Sequence, residues 1–186
     1  VRGLTLQGEW TTDEKGGIVN VEPNGRLVLR ESRLNGGRAL AGGALQVNPG
    51  ATLVATDTSF TNAVASYYGG AISAEAATVT LRRVSVTENV AHGASEFVLD
   101  VIGGGLYARD SFLTIEDSLV AHNSAIHDSQ TGGPAARGGG LYILDSDFVI
   151  RRSTIRANIA TGSPSMDGKA YGAGVYVRNG VGWHGS

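Results

Sequence analysis

The sequence predicts an all-β protein: a right-handed parallel β-helix (solenoid) with three short strands per turn and about five to six turns. Three observations carry this expectation. A glycine signature recurs six times, each followed by an apolar residue. Short alternating apolar stretches follow each signature at constant offsets. No window of eleven or more residues carries a helical apolar stripe.

The signatures are Gly16-Gly17-Ile18-Val19, Gly42-Gly43-Ala44-Leu45, Gly69-Gly70-Ala71-Ile72, Gly103-Gly104-Gly105-Leu106, Gly138-Gly139-Gly140-Leu141 and Gly172-Ala173-Gly174-Val175. Their final residues lie 26, 27, 34, 35 and 34 positions apart. Such a period, with local insertions, marks a repeat whose units bury their apolar faces only against one another. The first strand of each unit carries Val19/Val21, Leu45/Val47, Ile72/Ala74, Leu106/Ala108, Leu141/Ile143 and Val175/Val177 as its inward residues. The second carries Leu27/Leu29, Leu53/Ala55, Val79/Leu81, Leu113/Ile115 and Phe148/Ile150. The third is marked by Leu34, Phe60, Val86, Val120 and Ile155, beside small residues at Ser32, Thr58, Val84, Ser118 and Ser153. Equivalent strands would stack about 4.8 Å apart.

Asn89, Asn123 and Asn158 each fall three residues after a third-strand apolar residue. Stacked at a turn, their amides would hydrogen-bond from unit to unit and satisfy buried backbone groups, so they are assigned a structural ladder. Arg82/Arg83, Glu116/Asp117 and Arg151/Arg152 place opposite charges on successive units, extended by Glu31 and Asp57. This column reads as control of register and solubility.

The 186 residues form a single domain, 1–186, and both ends read as cut from a longer chain. A net charge of −2 without a basic run argues against nucleic acid and anionic membrane as partners. No apolar stretch approaches the length of a membrane span, and with no cysteine there is neither disulfide nor thiol chemistry.

Segments 90–102, 124–137 and 159–171 are longer than their counterparts in the first units. All three leave from one corner and are expected to stand side by side as loops. The same units carry Tyr107, Tyr142 and Tyr176, where earlier units have Asn20, Gln46 and Ser73. By alternation these rings point outward as a ladder suited to sugar rings or a protein partner, and they are the candidate ligand-binding residues. The competing reading is that the loops fold back over them as a small satellite core.

The tests for chemistry are sparse. Asp110 and Asp145 occupy equivalent positions one unit apart and are the runner-up catalytic pair, although Asp-Ser after a strand is ordinary turn chemistry. His92, His122 and His127 lack further ligands at a metal-like spacing, so no metal and no cofactor is expected.

The tetrapeptides at 42–45 and 69–72 resemble one half of the repeat of polymorphic outer membrane proteins. The other half, Phe-x-x-Asn, is similar to Val86-Thr87-Glu88-Asn89, Val120-Ala121-His122-Asn123 and Ile155-Arg156-Ala157-Asn158, with an aliphatic residue for Phe. Phe60 has its Asn one residue early, at Asn62. The resemblance implies an extracellular or cell-surface location, associated with a bacterial outer membrane, and a role in adhesion. Together the readings predict a non-enzymatic extracellular adhesin or surface-structure module. Its partner would be a glycan or surface protein of a host or neighbouring cell. Two alternatives stand beside it: a polysaccharide lyase or glycoside hydrolase, and a structural spacer that self-associates end to end along its axis.

Overall fold

The computed structural model describes residues 1–10, 15–93, 100–128, 135–163 and 169–182. Among the described residues every regular element is a strand, and every strand pairing is parallel. The first sheet has six strands: Val19–Val21, Leu45–Val47, Ile72–Glu75, Leu106–Arg109, Leu141–Leu144 and Val175–Arg178. The second also has six: Arg26–Arg30, Thr52–Thr56, Thr78–Arg82, Phe112–Glu116, Asp147–Arg151 and Val181–Gly182.

The third sheet has 13 strands and two arms. Arg33–Ala41 runs unbroken through both arms. In later repeats it is replaced by a pair, such as Ser59–Thr61 with Val64–Tyr68, or Ser85–Thr87 with Val90–Gly93. Three short strands, Val101–Ile102, Ala136–Arg137 and Ala170–Tyr171, pair with one another on the way back to the glycine signature.

The all-β expectation therefore stands, but the right-handed parallel β-helix with three strands per turn is overturned. The three sheets hold 13, six and six strands, and a repeat lays down four strands (45–68) or five (72–102, 106–137, 141–171). The additional strands lie in segments expected to be loops. Val90-Ala91-His92-Gly93 and Ala136-Arg137 are short and built from small or polar residues, so they lack the β-branched alternation that marks a strand in sequence. Residues 94–99, 129–134 and 164–168, the centres of the three long segments, lie outside the described residues.

Four corners separate the arms of each rung, and each is turned by a residue in the left-handed region. At the first stand Asn24, Gly50, Ala76, Asp110, Asp145 and Asn179. At the second stand Gly3, Glu31, Asp57, Arg83, Asp117 and Arg152. At the third stand Gly36, Asn62, Glu88, His122 and Ala157. The fourth is glycine in every rung: Gly16, Gly42, Gly69, Gly103, Gly138 and Gly172. The distinction is steric. A Cβ at Gly103 would collide with the carbonyl of Leu106, and one at the following Gly104 with the carbonyl of Gly139 in the next rung. The other three corners hold fourteen non-glycine residues at positive φ, each at a cost of about 1–2 kcal/mol that the surrounding hydrogen bonds must offset.

Those bonds form polar ladders. At the third corner Asn123 Oδ1 accepts from the Asn89 backbone N–H (3.0 Å) and from Asn89 Nδ2 (2.9 Å). Its own Nδ2 donates to the Val86 carbonyl and to Asn158 Oδ1. Asn89 repeats the pattern towards Ala63 and Phe60, and Asn158 towards Val120. Asn62 is the corner residue of its rung, and Ala63 stands at the ladder position. At the second corner the Ser118 hydroxyl donates to the Glu116 carbonyl and accepts from the Val84 N–H, while the Ser118 N–H donates to Ser153 Oγ. Ser111 and Ser146 do the same at the first corner.

Inside these corners lies one apolar core. Leu45, Ile72, Leu106 and Leu141 come from the first sheet, Leu53, Val79, Leu81 and Ile115 from the second, and Leu34, Phe60, Val86 and Val120 from the third. All are buried, as the expected inward columns require. Val177, in the last described rung, is 41% exposed.

Replacing Asn123 by Ala removes acceptors and donors from two rungs at once and strands buried backbone groups. A loss of about 3 kcal/mol in unfolding free energy is expected by denaturant titration, against under about 1 kcal/mol for Asn62→Ala, whose amide reaches only an exposed Asn35 Oδ1.

Candidate functional site

The sharp glycine corner decides the fate of the tyrosine column. It folds the strand before the signature against the outer face of the first sheet. Tyr68, Ile102, Arg137 and Tyr171 are in register along one side of that corner, and Ser73, Tyr107, Tyr142 and Tyr176 along the other. The two columns meet. Tyr107 and Tyr142 are only 3% and 4% exposed and pack with Ile102, Tyr68, Leu144 and Tyr176, separate from the main core.

The rings stack upon one another rather than standing open to a ligand. Centroids are 5.3 Å apart for Tyr68–Tyr107, 5.8 Å for Tyr107–Tyr142 and 5.1 Å for Tyr142–Tyr176. Tyr67 and Tyr171 extend the stack at its two ends, so all six tyrosines of the chain belong to it. The outward alternation read from sequence is correct for the backbone, since the column leaves the main core. The corner carries the glycine signature, but the strands that cover the column, such as Val101–Ile102 and Ala136–Arg137, have no signature of their own. What remains accessible is Tyr171, 43% exposed, and the half-buried Tyr176 at one end, with the half-buried Tyr67 and Tyr68 at the other. The Arg137 guanidinium lies 5.4 Å and 5.9 Å from the centres of these two rings and is paired with Asp100.

Burial pushes the phenols of Tyr68, Tyr107 and Tyr142 above the ordinary tyrosine value of 10, Tyr107 furthest. Two buried polar atoms continue the column: Gln46 Oε1 and Ser73 Oγ have no hydrogen-bond partner among the described residues.

Asp110 and Asp145 sit on successive rungs of the first corner, exposed and at positive φ. With Ser111, Phe112 and Asp147 they line a hollow of about 250 Å³. Each Asp N–H bonds to the rung above, to the carbonyls of Leu144 and Arg178, and Asp110 lies 3.5 Å from Arg109. This is a turn held by its backbone, with Phe112 beside it 63% exposed.

The histidines are dispersed. His122 turns the third corner, His92 Nε2 lies 2.9 Å from Asp128 Oδ2, and His127 is buried with Nδ1 unpartnered among the described residues. Burial lowers His127 from its ordinary 6.5, with Asp128 opposing and His92 adding to the shift. Among the described residues no three His, Asp or Glu side chains converge as a metal site.

A larger hollow lies elsewhere. A groove of about 790 Å³ follows the second corner from Gly3 to Arg152 and Thr154, and sequence reasoning did not single it out as a site. Its rim is the charged column, set in bidentate pairs. Arg83 donates to Asp57 at 2.7 and 2.9 Å, Arg152 to Asp117 at 2.6 and 3.0 Å, and Arg2 to Glu31 at 3.0 and 2.8 Å. These hydrogen bonds hold the Glu31, Asp57 and Asp117 carboxyls below their ordinary values.

Comparison of the chain with protein-family models, with curated proteins and with solved structures finds no match.

Two pH responses follow. The buried phenols keep their protons in the folded protein above the pH at which an unfolded chain releases them. Their stabilisation is complete below about pH 10 and declines above it. Tyr107→Phe should flatten this alkaline decline in thermal melting. His127 is the opposite case: its folded form binds protons less readily, so stability holds above about pH 6.5 and falls on acidification. His127→Leu should flatten the fall between about pH 7 and pH 5 in the same assay.

Proposed function

We propose that the chain is a non-enzymatic extracellular module of an adhesin or surface structure, binding a glycan or surface protein of a host or neighbouring cell. The observation that carries this reading is repetition. Register pairing brings equivalent residues of successive rungs into line, and the outward columns become ring stacks or ion-pair ladders rather than one convergent cluster. A catalytic centre needs different groups converging on one reacting atom. A binding surface gains from the same group presented again and again on a rigid support. The resemblance of the glycine and Val-x-x-Asn motifs to the repeat of polymorphic outer membrane proteins supports a surface location.

The contact edge is the corner where the long segments meet the tyrosine stack. Tyr107 and Tyr142 act from beneath, as an aromatic floor packed against Ile102 and Tyr68, while Tyr171 and Tyr176 supply the accessible aromatic surface at this end of the stack. Arg137, held by Asp100 against both rings, adds a fixed donor fork at the same place.

A carbohydrate-active enzyme is the second reading, favoured by the hollow that gathers Asp110, Asp145 and Asp147 beside the exposed Phe112. One experiment separates the two. The chain is immobilised and presented with cell-surface glycans, cell-surface protein extracts and soluble polysaccharides. Saturable binding without release of new reducing or unsaturated ends is expected, weakened tenfold or more by Tyr171→Ala combined with Tyr176→Ala. Release of such ends, abolished by Asp110→Asn or Asp145→Asn, would overturn the non-enzymatic reading.

A further inference from the structure

We infer that the groove along the second corner is a second binding site, separate from the tyrosine edge, and that its ligand is an uncharged glycan chain lying along the stacking axis. The groove spans six successive rungs. At about 4.8 Å per rung, five intervals give a trough of roughly 24 Å, which suits a polymer rather than a compact molecule.

Its charge is nearly balanced. Three carboxylates (Glu31, Asp57, Asp117) and three guanidiniums (Arg33, Arg83, Arg152) line it, and with Arg2 pairing Glu31 from the end, Arg33 alone has no ion pair among the described residues. Arg83 and Arg152 spend both arms of the guanidinium fork on carboxylates, and Arg2 occupies Glu31 in the same way. An anionic polymer would have to break these pairs, and a cationic one would have to displace the guanidiniums. A nucleic acid needs a track of uncommitted cations, which these pairs do not provide.

The floor favours hydroxyl recognition. Thr5, Arg33, Ser59, Ser85, Leu119 and Thr154 occupy the same outward register position on six successive rungs, so the floor is four hydroxyls, one leucine and one guanidinium. Among the described residues none of these four hydroxyls makes a side-chain hydrogen bond, in contrast to Ser32, Ser118 and Ser153 one residue earlier, which are committed to the corner ladder. A hydroxyl donates and accepts, so a column of them matches the hydroxyls of a sugar chain, and half-buried Leu119 offers a flat apolar contact to a ring. An extended peptide would instead pair with free strand backbone. Here the floor's N–H groups are already donated: Ser59 to the Ser32 carbonyl, Ser85 to Thr58, Leu119 to Val84 and Thr154 to Ser118.

The test is affinity electrophoresis of the whole chain through gels containing laminarin, dextran or mannan, with polygalacturonate and heparin as charged comparators. Retardation is expected in at least one neutral gel, unchanged between low and high salt, and weaker in both charged gels. Ser85→Arg and Ser59→Arg, which place bulk and an unpaired charge in the trough, should reduce that retardation at least tenfold. Their melting temperatures should stay at the parent value, since both positions are solvent-facing and outside the ladders. The double Tyr171→Ala, Tyr176→Ala variant should retain it, which separates this site from the tyrosine edge. Absence of retardation in all three neutral gels overturns the inference. So does retardation that the tyrosine variant removes and the two arginine variants leave intact.

Discussion

The structure depends on satisfying the backbone at four sharp corners per rung. A strand can hand its N–H and C=O groups to the rungs on either side, but a corner turned by a left-handed residue breaks that pattern and leaves groups pointing inward. Asparagine amides solve the problem at the third corner by bonding to the rungs on either side, and serine hydroxyls at the first and second by bonding both within their own rung and to its neighbour. Among the described residues the fourth corner has no side-chain ladder of this kind. Its bonds run backbone to backbone, as from the Gly104 N–H to the Gly138 carbonyl and from Gly105 to Gly140, which requires the close approach that only glycine permits.

Register follows from these ladders, and surface chemistry follows from register. A slip of one residue would turn the core columns outward and break every ladder at once. With register fixed, whatever residue occupies an outward position is repeated up the stack at the strand spacing. The tyrosines therefore face tyrosines and bury one another, and the second-corner carboxylates face arginines and neutralise one another. The same rule leaves Ser59 and Ser85 facing each other with nothing to neutralise, so the groove keeps unused hydroxyls beside a rim whose carboxylates are all paired.

The core columns, the asparagine ladder and the charged column were legible in the sequence, because each depends on identity at a fixed offset and offsets survive insertions elsewhere. Leu106, Leu141 and Asn123 could be placed by counting from the glycines. The number of strands was not legible. Ala136-Arg137 and Ala170-Tyr171 are strands because Val101–Ile102 offers them a partner, not because their own residues prefer extension. The burial of Tyr107 and Tyr142 was hidden for the same reason, since Ile102 and Tyr68 reach them only across a corner formed by those unmarked strands. The groove was invisible because it is a shape between two sheets rather than a motif.

The two outward features differ in what a partner could take from them. In the tyrosine stack, much of the apolar area is already buried ring against ring, so a ligand there meets only the exposed Tyr171 and the half-buried Tyr176 at one end, or Tyr67 and Tyr68 at the other. In the groove nothing has to move. The floor is backbone-paired on both sides and its ion pairs are satisfied before a ligand arrives, so a chain entering it displaces only water from the hydroxyls, the Arg33 guanidinium and the Leu119 face. Each contact of that kind is weak, and the in-register stack supplies several at fixed intervals on one rigid body. A surface that binds by summing small identical contacts favours long repetitive ligands over short ones, and this preference for length follows from the same rung-to-rung register that holds the core together.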